Sequence, residues 1–379
     1  MIRVACVVLA CAAVSLNPSA GFASVSVTDI GALGASTQSN IVGLSADGSD
    51  VIGWTAYSDL RAIRWNATDG ITEQQLPADF VSPFGIDIAV GGSSSVGYAY
   101  RQSTQQNYPT RWNSSGAFED IGLPSGFTTG QAWSVSRNGA SIAGVVGQGQ
   151  ATRAALWRRS ESGWSSQSLG VLPNGGTTST SGIISGDGSV VVGVGAVSGS
   201  TTTIYRWTQA TGMQQLFARP SGTFGSNATA VNIDGSVVVG WLQHPGPVAM
   251  KWTQASGPVE LGLIPGALGS IARDVSDDGA MVVGGTTDTN GNPFHAFLWR
   301  TQGGMVDLNT YLPSIGVQLA GWTLVEAQGI SGDGMTIAGN GLHNGFQRGW
   351  IVTIPAPGAA MTLICAGTCL RMRRRGSVR

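Results

Sequence analysis

The chain has 379 residues, of which 57 are glycine and only 11% are charged, and its formal net charge is −1. Six of its 20 basic residues lie at the two ends, so the region between them is acidic, with a net charge near −7. A nucleic-acid binder needs a clustered basic face, and the sequence provides none. All four cysteines also lie at the ends, which excludes a disulfide scaffold for the region between.

Residues 1–23 have the features of a secretory signal peptide. A short basic start precedes an apolar run over residues 4–16, and small residues then lead to Ala23. We expect cleavage after Ala23, with Ala20 as the alternative position. A lipoprotein signal at Cys11 is a weaker interpretation, because the apolar run before that cysteine is too short.

A short pattern then recurs seven times. Each copy has a turn glycine, a second glycine five residues later, and a tryptophan that closes the unit. The turn glycines are Gly48, Gly92, Gly139, Gly188, Gly235, Gly279 and Gly334, and the tryptophans are Trp65, Trp112, Trp157, Trp207, Trp252, Trp299 and Trp350. The tryptophans are 45 to 51 residues apart, a period typical of propeller blades.

Each unit can be divided into four strands. The first ends at a Ser-x-Asp-Gly hairpin turn such as Ser276–Gly279, in which glycine supplies a positive φ. The second resembles Val190–Gly193, the third carries the tryptophan, and the fourth resembles Gly212–Leu216. Glycine weakens a strand, so its recurrence at the end of the second strand predicts that another backbone or a large ring lies close to it. The tryptophan of the third strand is the candidate ring.

The seventh unit lacks a fourth strand, because the chain after Trp350 runs only to Ile354 before its C-terminal segment. The missing pattern occurs at the start, over residues 27–34. The sequence therefore predicts an all-β fold over residues 24–354: a seven-bladed β-propeller closed by the N-terminal strand.

Residues 355–379 have a different composition. Pro-Ala-Pro-Gly is followed by an apolar run over residues 359–370 and by the basic cluster 371–375. The run is shorter than the roughly 20 residues that span a bilayer. The segment resembles the PEP-CTERM class of bacterial sorting signals, which implies transient retention in the inner membrane and removal by an exosortase. A weak membrane anchor is the alternative, since Ala356 replaces the motif's Glu.

Several motifs resemble the extracellular HAF-repeat family. They are His295-Ala296-Phe297 with Trp299, the run Gly303–Leu308, and Gly321-Trp322-Thr323-Leu324. In other units the middle alanine persists and the histidine does not, as in Arg61-Ala62-Ile63. The resemblance covers nearly the whole body and implies export and repeat architecture, with no established reaction.

Metal and cofactor sites are not expected. His244, His295 and His343 have no second histidine or cysteine at ligand spacing. The repeated Asp-Gly turns are interpreted as hairpin turns, with bound calcium as the alternative at the two most acidic, residues 45–50 and 274–278.

No catalytic set is evident either. Asp87 and Asp274 occupy equivalent places five residues before a turn glycine, but they belong to units three apart around the ring. The short separations used by glycosidases are therefore not expected. No nucleophile elbow and no phosphate-binding loop are present.

Tryptophan has the clearest potential for ligand binding. The seven repeat tryptophans are interpreted as packing residues, whereas Trp54 and Trp241 each follow a second-strand glycine. We consider these two as candidate sugar-stacking residues, with partial burial as the alternative.

The sequence thus favours a secreted or surface-displayed propeller with a structural or interaction role, not an enzyme. Its expected partners are an extracellular polysaccharide or an envelope protein, and the sorting protease. A lectin-like glycan binder is the first alternative, and a polysaccharide hydrolase or lyase acting at the channel mouth is the second.

Overall fold

The computed structural model describes residues 25–56, 59–173, 175–196 and 202–355. The predicted signal peptide, and the C-terminal segment beyond Pro355, lie outside these residues. Within the described part no helix is both long and apolar enough to cross a bilayer.

The described chain is built almost entirely of antiparallel strands. The first is β1 (Thr28–Asp29). Blade 1 follows with β2 (Asn40–Leu44), β3 (Asp50–Ala56), β4 (Leu60–Asn66) and β5 (Gly70–Glu73), and blade 2 with β6 (Phe80–Ile88), β7 (Ser94–Arg101), β8 (Gln106–Asn113) and β9 (Phe118–Asp120), with a 3-10 turn at Val90–Gly92. Blade 3 contains β10 (Thr129–Val135), β11 (Ser141–Gln148), β12 (Ala151–Ser160) and β13 (Gly163–Ser168).

Blade 4 contains β14 (Thr178–Ile184), β15 (Val190–Ala196), β16 (Thr202–Thr208) and β17 (Gly212–Gln215), and blade 5 contains β18 (Gly225–Val231), β19 (Val237–Gln243), β20 (Pro247–Thr253) and β21 (Gly257–Glu260). The remaining elements are β22 (Gly269–Val275), β23 (Met281–Thr287), β24 (Pro293–Arg300), β25 (Gly304–Asp307), α1 (Leu308–Ser314), β26 (Trp322–Ile330), β27 (Thr336–His343) and β28 (Phe346–Thr353).

The number of blades differs from the prediction. Five blades are separate four-stranded sheets, whereas β22 to β28 and β1 form one eight-stranded sheet. The prediction of a seven-bladed propeller is therefore wrong, although the all-β propeller class is correct. The strands of the last two sequence repeats are joined where Gly285 of β23 pairs with Glu326 of β26.

The absence of a side chain explains this junction. A Cβ at Gly285 would lie 3.0 Å from Cγ of Glu326, so the glycine leaves room for the neighbouring strand. The equivalent position in the five separate blades carries a side chain: Trp54, Tyr98, Val145, Val194 or Trp241.

The N-terminal strand closes the last sheet as predicted. Thr28 and Asp29 of β1 pair with Ile351 and Trp350 of β28. Nδ1 of His343 also lies 2.7 Å from Oδ2 of Asp29, which fastens the first strand to β27.

The repeated motifs mostly have the predicted roles. Trp112, Trp157 and Trp350 are fully buried between strands, and Trp207 and Trp252 nearly so. The middle alanine of the HAF-like triplet is completely buried at Ala62, Ala154, Ala249 and Ala296. The Asp-Gly turns are tight, with positive φ at the glycine and a hydrogen bond from its N–H to the turn serine, as in Gly279 to Ser276 at 2.9 Å.

Candidate central-channel site

The second-strand glycines are required by a backbone contact. A Cβ on Gly240 would lie only 1.9 Å from the carbonyl oxygen of Asn227 on the inner strand. The corresponding distance is 2.1 Å or less at Gly53, Gly97, Gly144, Gly284 and Gly339. The predicted approach of another backbone is thus confirmed. A tryptophan ring also comes close at Gly339, where a Cβ would lie 2.8 Å from Cζ2 of Trp350.

This close contact accompanies a β-bulge in the inner strand. One residue of the strand is left unpaired beside each glycine, and such a bulge turns its side chain in a new direction. In six repeats the unpaired residue stands six positions before the turn glycine and faces the axis of the ring: Val42, Ile86, Trp133, Thr229, Arg273 and Gln328.

These side chains line a cavity on the axis of the ring, which we call the central channel. Its volume is about 560 Å³, and the inner strands β2, β6, β10, β14, β18, β22 and β26 all contribute to its wall. A cavity of this size, with an aromatic and aliphatic wall and a few polar groups, is typical of small-molecule sites.

Three aromatic rings stand on the wall of the central channel: Tyr98, Trp133 and Trp241. All three are half-buried, so part of each ring faces the cavity. The indole N–H of Trp133 donates to Oε1 of Gln131 at 2.9 Å, which fixes the ring orientation. Tyr98 stacks on Phe84, with ring centroids 5.0 Å apart, and burial raises the pKa of its phenol, so the hydroxyl stays neutral.

The two predicted ligand residues are separated by the structure. Trp241 lines the central channel, whereas Trp54 is half-buried outside it, edge-to-face with Phe84 at 6.1 Å. Sequence reasoning missed Tyr98 and Trp133. Tyr98 could have been found, because it follows a second-strand glycine as Trp54 and Trp241 do.

The turns after the inner strands form one end of the central channel, which we call the floor. Backbone hydrogen bonds join neighbouring turns: Gly332 to Ala46 at 2.7 Å, Asp277 to Gly332, Arg137 to Gly186 and Asp187 to Ile233 at 2.9 Å, and Val90 to Arg137 at 3.1 Å. The guanidinium of Arg137 crosses the floor to form an ion pair with Asp277. Gly332 permits this crossing, because a Cβ there would lie 2.4 Å from Nη2 of Arg137 and 2.5 Å from Oδ2 of Asp277.

The second cation of the wall is also paired. Nε of Arg273 lies 2.6 Å from Oε1 of Glu326, and Nε2 of Gln328 donates to Oε2 of the same carboxylate at 2.8 Å. Among the described residues that line the channel, Arg137 and Arg273 are the two cationic side chains. Each therefore has a carboxylate partner.

Asp87 and Asp274 belong to distant repeats, and both lie on the wall of the same channel. Each carboxyl accepts two backbone N–H groups, one from the next residue and one from the next inner strand. For Asp87 the donors are Ile88 and Val135, both at 2.8 Å. For Asp274 they are Val275 at 2.8 Å and Ile330 at 2.9 Å.

Burial is the main cause of an altered pKa at both carboxyl groups. It raises the pKa of Asp87, and it raises that of Asp274 to about 7, to which the charge of Asp87 also contributes. In each carboxyl group one oxygen accepts an N–H of its own inner strand, and the other accepts an N–H of the next inner strand. These residues therefore link neighbouring repeats.

The predicted alternatives for metal binding can be located. Each histidine contacts one carboxylate at 2.7 Å: His244 with Glu260, His295 with Asp307, and His343 with Asp29. In the acidic turn after β22, hydrogen bonds from Ala280 N–H and the Ser276 hydroxyl lower the pKa of Asp278. Within the described residues no group of three or more His, Cys, Asp or Glu side chains could hold a metal ion.

Solved structures show the same kind of fold. The chain resembles an oligogalacturonate lyase from Vibrio parahaemolyticus (TM-score 0.57, 11% identity, 87% of this chain and 94% of that one). It also resembles an oligogalacturonate lyase in complex with manganese (TM-score 0.54, 11% identity, 84% of this chain and 90% of that one). TolB from Acinetobacter baumannii matches at a TM-score of 0.47 and 16% identity over 69% of this chain, which spans 63% of TolB. No protein-family model and no curated protein sequence matches. At 11% identity the similarity to the two lyase structures shows the β-propeller fold alone.

Proposed function

We propose that this protein is an exported propeller that binds carbohydrate in its central channel. The observation that carries the proposal is that Tyr98, Trp133 and Trp241, from three different blades, face one cavity of about 560 Å³. Aromatic faces offer a rigid apolar surface beside polar groups, and the C–H face of a sugar ring fits such a surface.

The structural role of the two buried acidic residues favours binding over catalysis. The carboxyl groups of Asp87 and Asp274 accept backbone hydrogen bonds from two strands each, so their positions are set by the fold. Two solved propellers of similar fold are oligogalacturonate lyases, which makes a polyuronate the natural rival ligand and lyase activity the rival function.

Tryptophan fluorescence titration tests this function directly. We expect a panel of soluble polysaccharides to include one that quenches or blue-shifts the emission. We expect Trp241→Ala to weaken the binding of that polysaccharide by about tenfold, the effect of losing one stacked ring. Trp54→Ala is the matched control, because Trp54 has the same repeat position outside the channel. A panel without any response would contradict the proposal.

Export is the second part of the proposed role. Residues 1–23 would direct secretion, and residues 355–379 would hold the protein transiently in the inner membrane until an exosortase removes them, which would place the propeller at the cell surface or in the extracellular matrix. Fractionation of cells that produce the protein with and without residues 355–379 tests this. Retention of both forms in the inner membrane would contradict it.

A further inference from the structure

The charges of the central channel bear on which saccharides it can accept. The basic and carboxyl groups of its described lining are Arg137 and Arg273, and Asp87, Asp274 and Asp277; Glu326 pairs with Arg273. Each arginine therefore has its own carboxylate partner, so the lining carries no excess positive charge.

The charge of each cation is already balanced by a carboxylate. Arg137 is bound to Asp277 across the floor, and Arg273 is bound to Glu326 at 2.6 Å. A saccharide carboxylate that approached either arginine would lie beside the carboxylate already paired with it. Like charges brought together in a partly buried site oppose binding strongly.

The groups that face the cavity without a charge can serve a neutral sugar. The hydroxyl groups of a sugar both donate and accept hydrogen bonds. They can bond to the side-chain amides of Gln328 and Gln131 and to the phenol of Tyr98 without breaking either ion pair. The rings of Trp133 and Trp241 interact with sugar rings regardless of charge.

We infer that the central channel selects neutral glycans and rejects polyuronates because both of its arginines are already neutralised by carboxylates. The inference rests on the proposed carbohydrate-binding function and specifies its ligand class. It also predicts that charge selection can be changed by a single substitution that frees an arginine.

The test compares neutral tetrasaccharides with an anionic tetrasaccharide of the same length. Tryptophan fluorescence of the mature propeller is titrated with cellotetraose, maltotetraose and laminaritetraose, and with tetragalacturonate, at low ionic strength, where charge effects are largest. We expect at least one neutral tetrasaccharide to bind about tenfold or more tightly than tetragalacturonate.

Two variants test the cause of the selection. Asp277→Asn frees Arg137 and Glu326→Gln frees Arg273, and each should tighten tetragalacturonate binding about tenfold while changing neutral binding less than about threefold. Glu161→Gln, on an exposed hairpin, removes the same charge elsewhere and should change neither. Thermal melts establish that each variant is folded, and the second arginine gives an independent measurement if one variant is not.

The possible results separate the inference from the proposed function. If tetragalacturonate binds the wild type as tightly as the neutral sugars, or if neither folded variant gains anionic binding, the inference is overturned while carbohydrate binding stands. If no tetrasaccharide and no polysaccharide binds, both are overturned.

Discussion

Nδ1 of His295 lies 2.7 Å from Oδ2 of Asp307, and this contact gives the His-Ala-Phe triplet a structural role. The other oxygen of Asp307 accepts the N–H of Asn309 at 2.8 Å and thereby caps helix α1. The same two positions are occupied in the first repeat by Arg61 and Glu73, whose ion pair measures 2.9 Å. In these two repeats the first residue of the triplet therefore holds the acidic residue of the fourth strand, as histidine in one and as arginine in the other.

His295→Ala should destabilise the protein by about 1 kcal/mol, because it removes a partly buried hydrogen bond to a charged group. Asp307→Ala should cost about 1 to 2 kcal/mol, since it also removes the helix cap. Urea denaturation followed by tryptophan fluorescence measures both. Arg61→Ala is the matched control, because that pair is more exposed and should contribute under about 1 kcal/mol. An equal loss at both positions would contradict this interpretation.

Closure of the ring by the first strand gives the second prediction. Ile30 is 4% exposed and follows β1, and its N–H donates to the carbonyl of Gly349 on β28 at 3.2 Å. Ile30→Ala should therefore cost about 2 to 5 kcal/mol, as do other large-to-small core substitutions. Thr28→Ala, at an exposed position of the same segment, should cost little. Equilibrium unfolding in urea compares the two, and equal stabilities would indicate that the first strand does not close the ring.

The repeat made much of the fold predictable from the sequence. The strands, the Asp-Gly turns and the pairing of residues near Thr28 with the last strand follow from one pattern and its missing piece. The junction at Gly285 was not predictable in this way, because a single missing side chain decides whether two neighbouring sheets join, and the repeat pattern does not extend to that position.

The candidate site was harder to predict than the fold. The channel-facing residues include Val42, Trp133, Thr229 and Arg273, which share a position and no chemistry. Their common direction comes from a bulge, and a bulge of one residue leaves no clear trace in the apolar and polar alternation of a strand. Charge pairing across the channel, as between Arg137 and Asp277, joins residues 140 positions apart and depends on closure of the whole ring.

The glycine beside each bulge gives the third prediction. Gly240→Ala would place a methyl group 1.9 Å from the carbonyl oxygen of Asn227, a backbone atom that cannot move without altering the inner strand. We expect a loss of about 3 kcal/mol or more, or a failure to fold. Gly225→Ala is the matched control in the same blade, because its nearest neighbour would be Oγ1 of Thr202 at 3.4 Å. Thermal unfolding of the two variants checks the difference, and a wild-type melting temperature for Gly240→Ala would refute it.

The last prediction concerns pH and Asp274. Burial raises the pKa of this carboxyl from 3.8 to about 7, so the folded protein binds its proton more tightly than the unfolded chain does. The stability that this proton contributes is fully present below about pH 3.8 and is lost as the pH rises through about 7. In that window Asp274 should lower the free energy of unfolding by up to about 1.4 kcal/mol per pH unit, the slope for one proton.

Asp274→Asn removes the titrating group, so the free-energy difference between wild type and variant should change with pH between 4 and 7 and be constant above pH 8. Urea denaturation at a series of pH values measures this difference directly. Asp87→Asn should show the same sign of change, because burial also raises the pKa of Asp87. Glu161→Gln, on an exposed hairpin, serves as the control. A constant difference between wild type and Asp274→Asn over this range would show that the carboxyl is not held protonated within the fold.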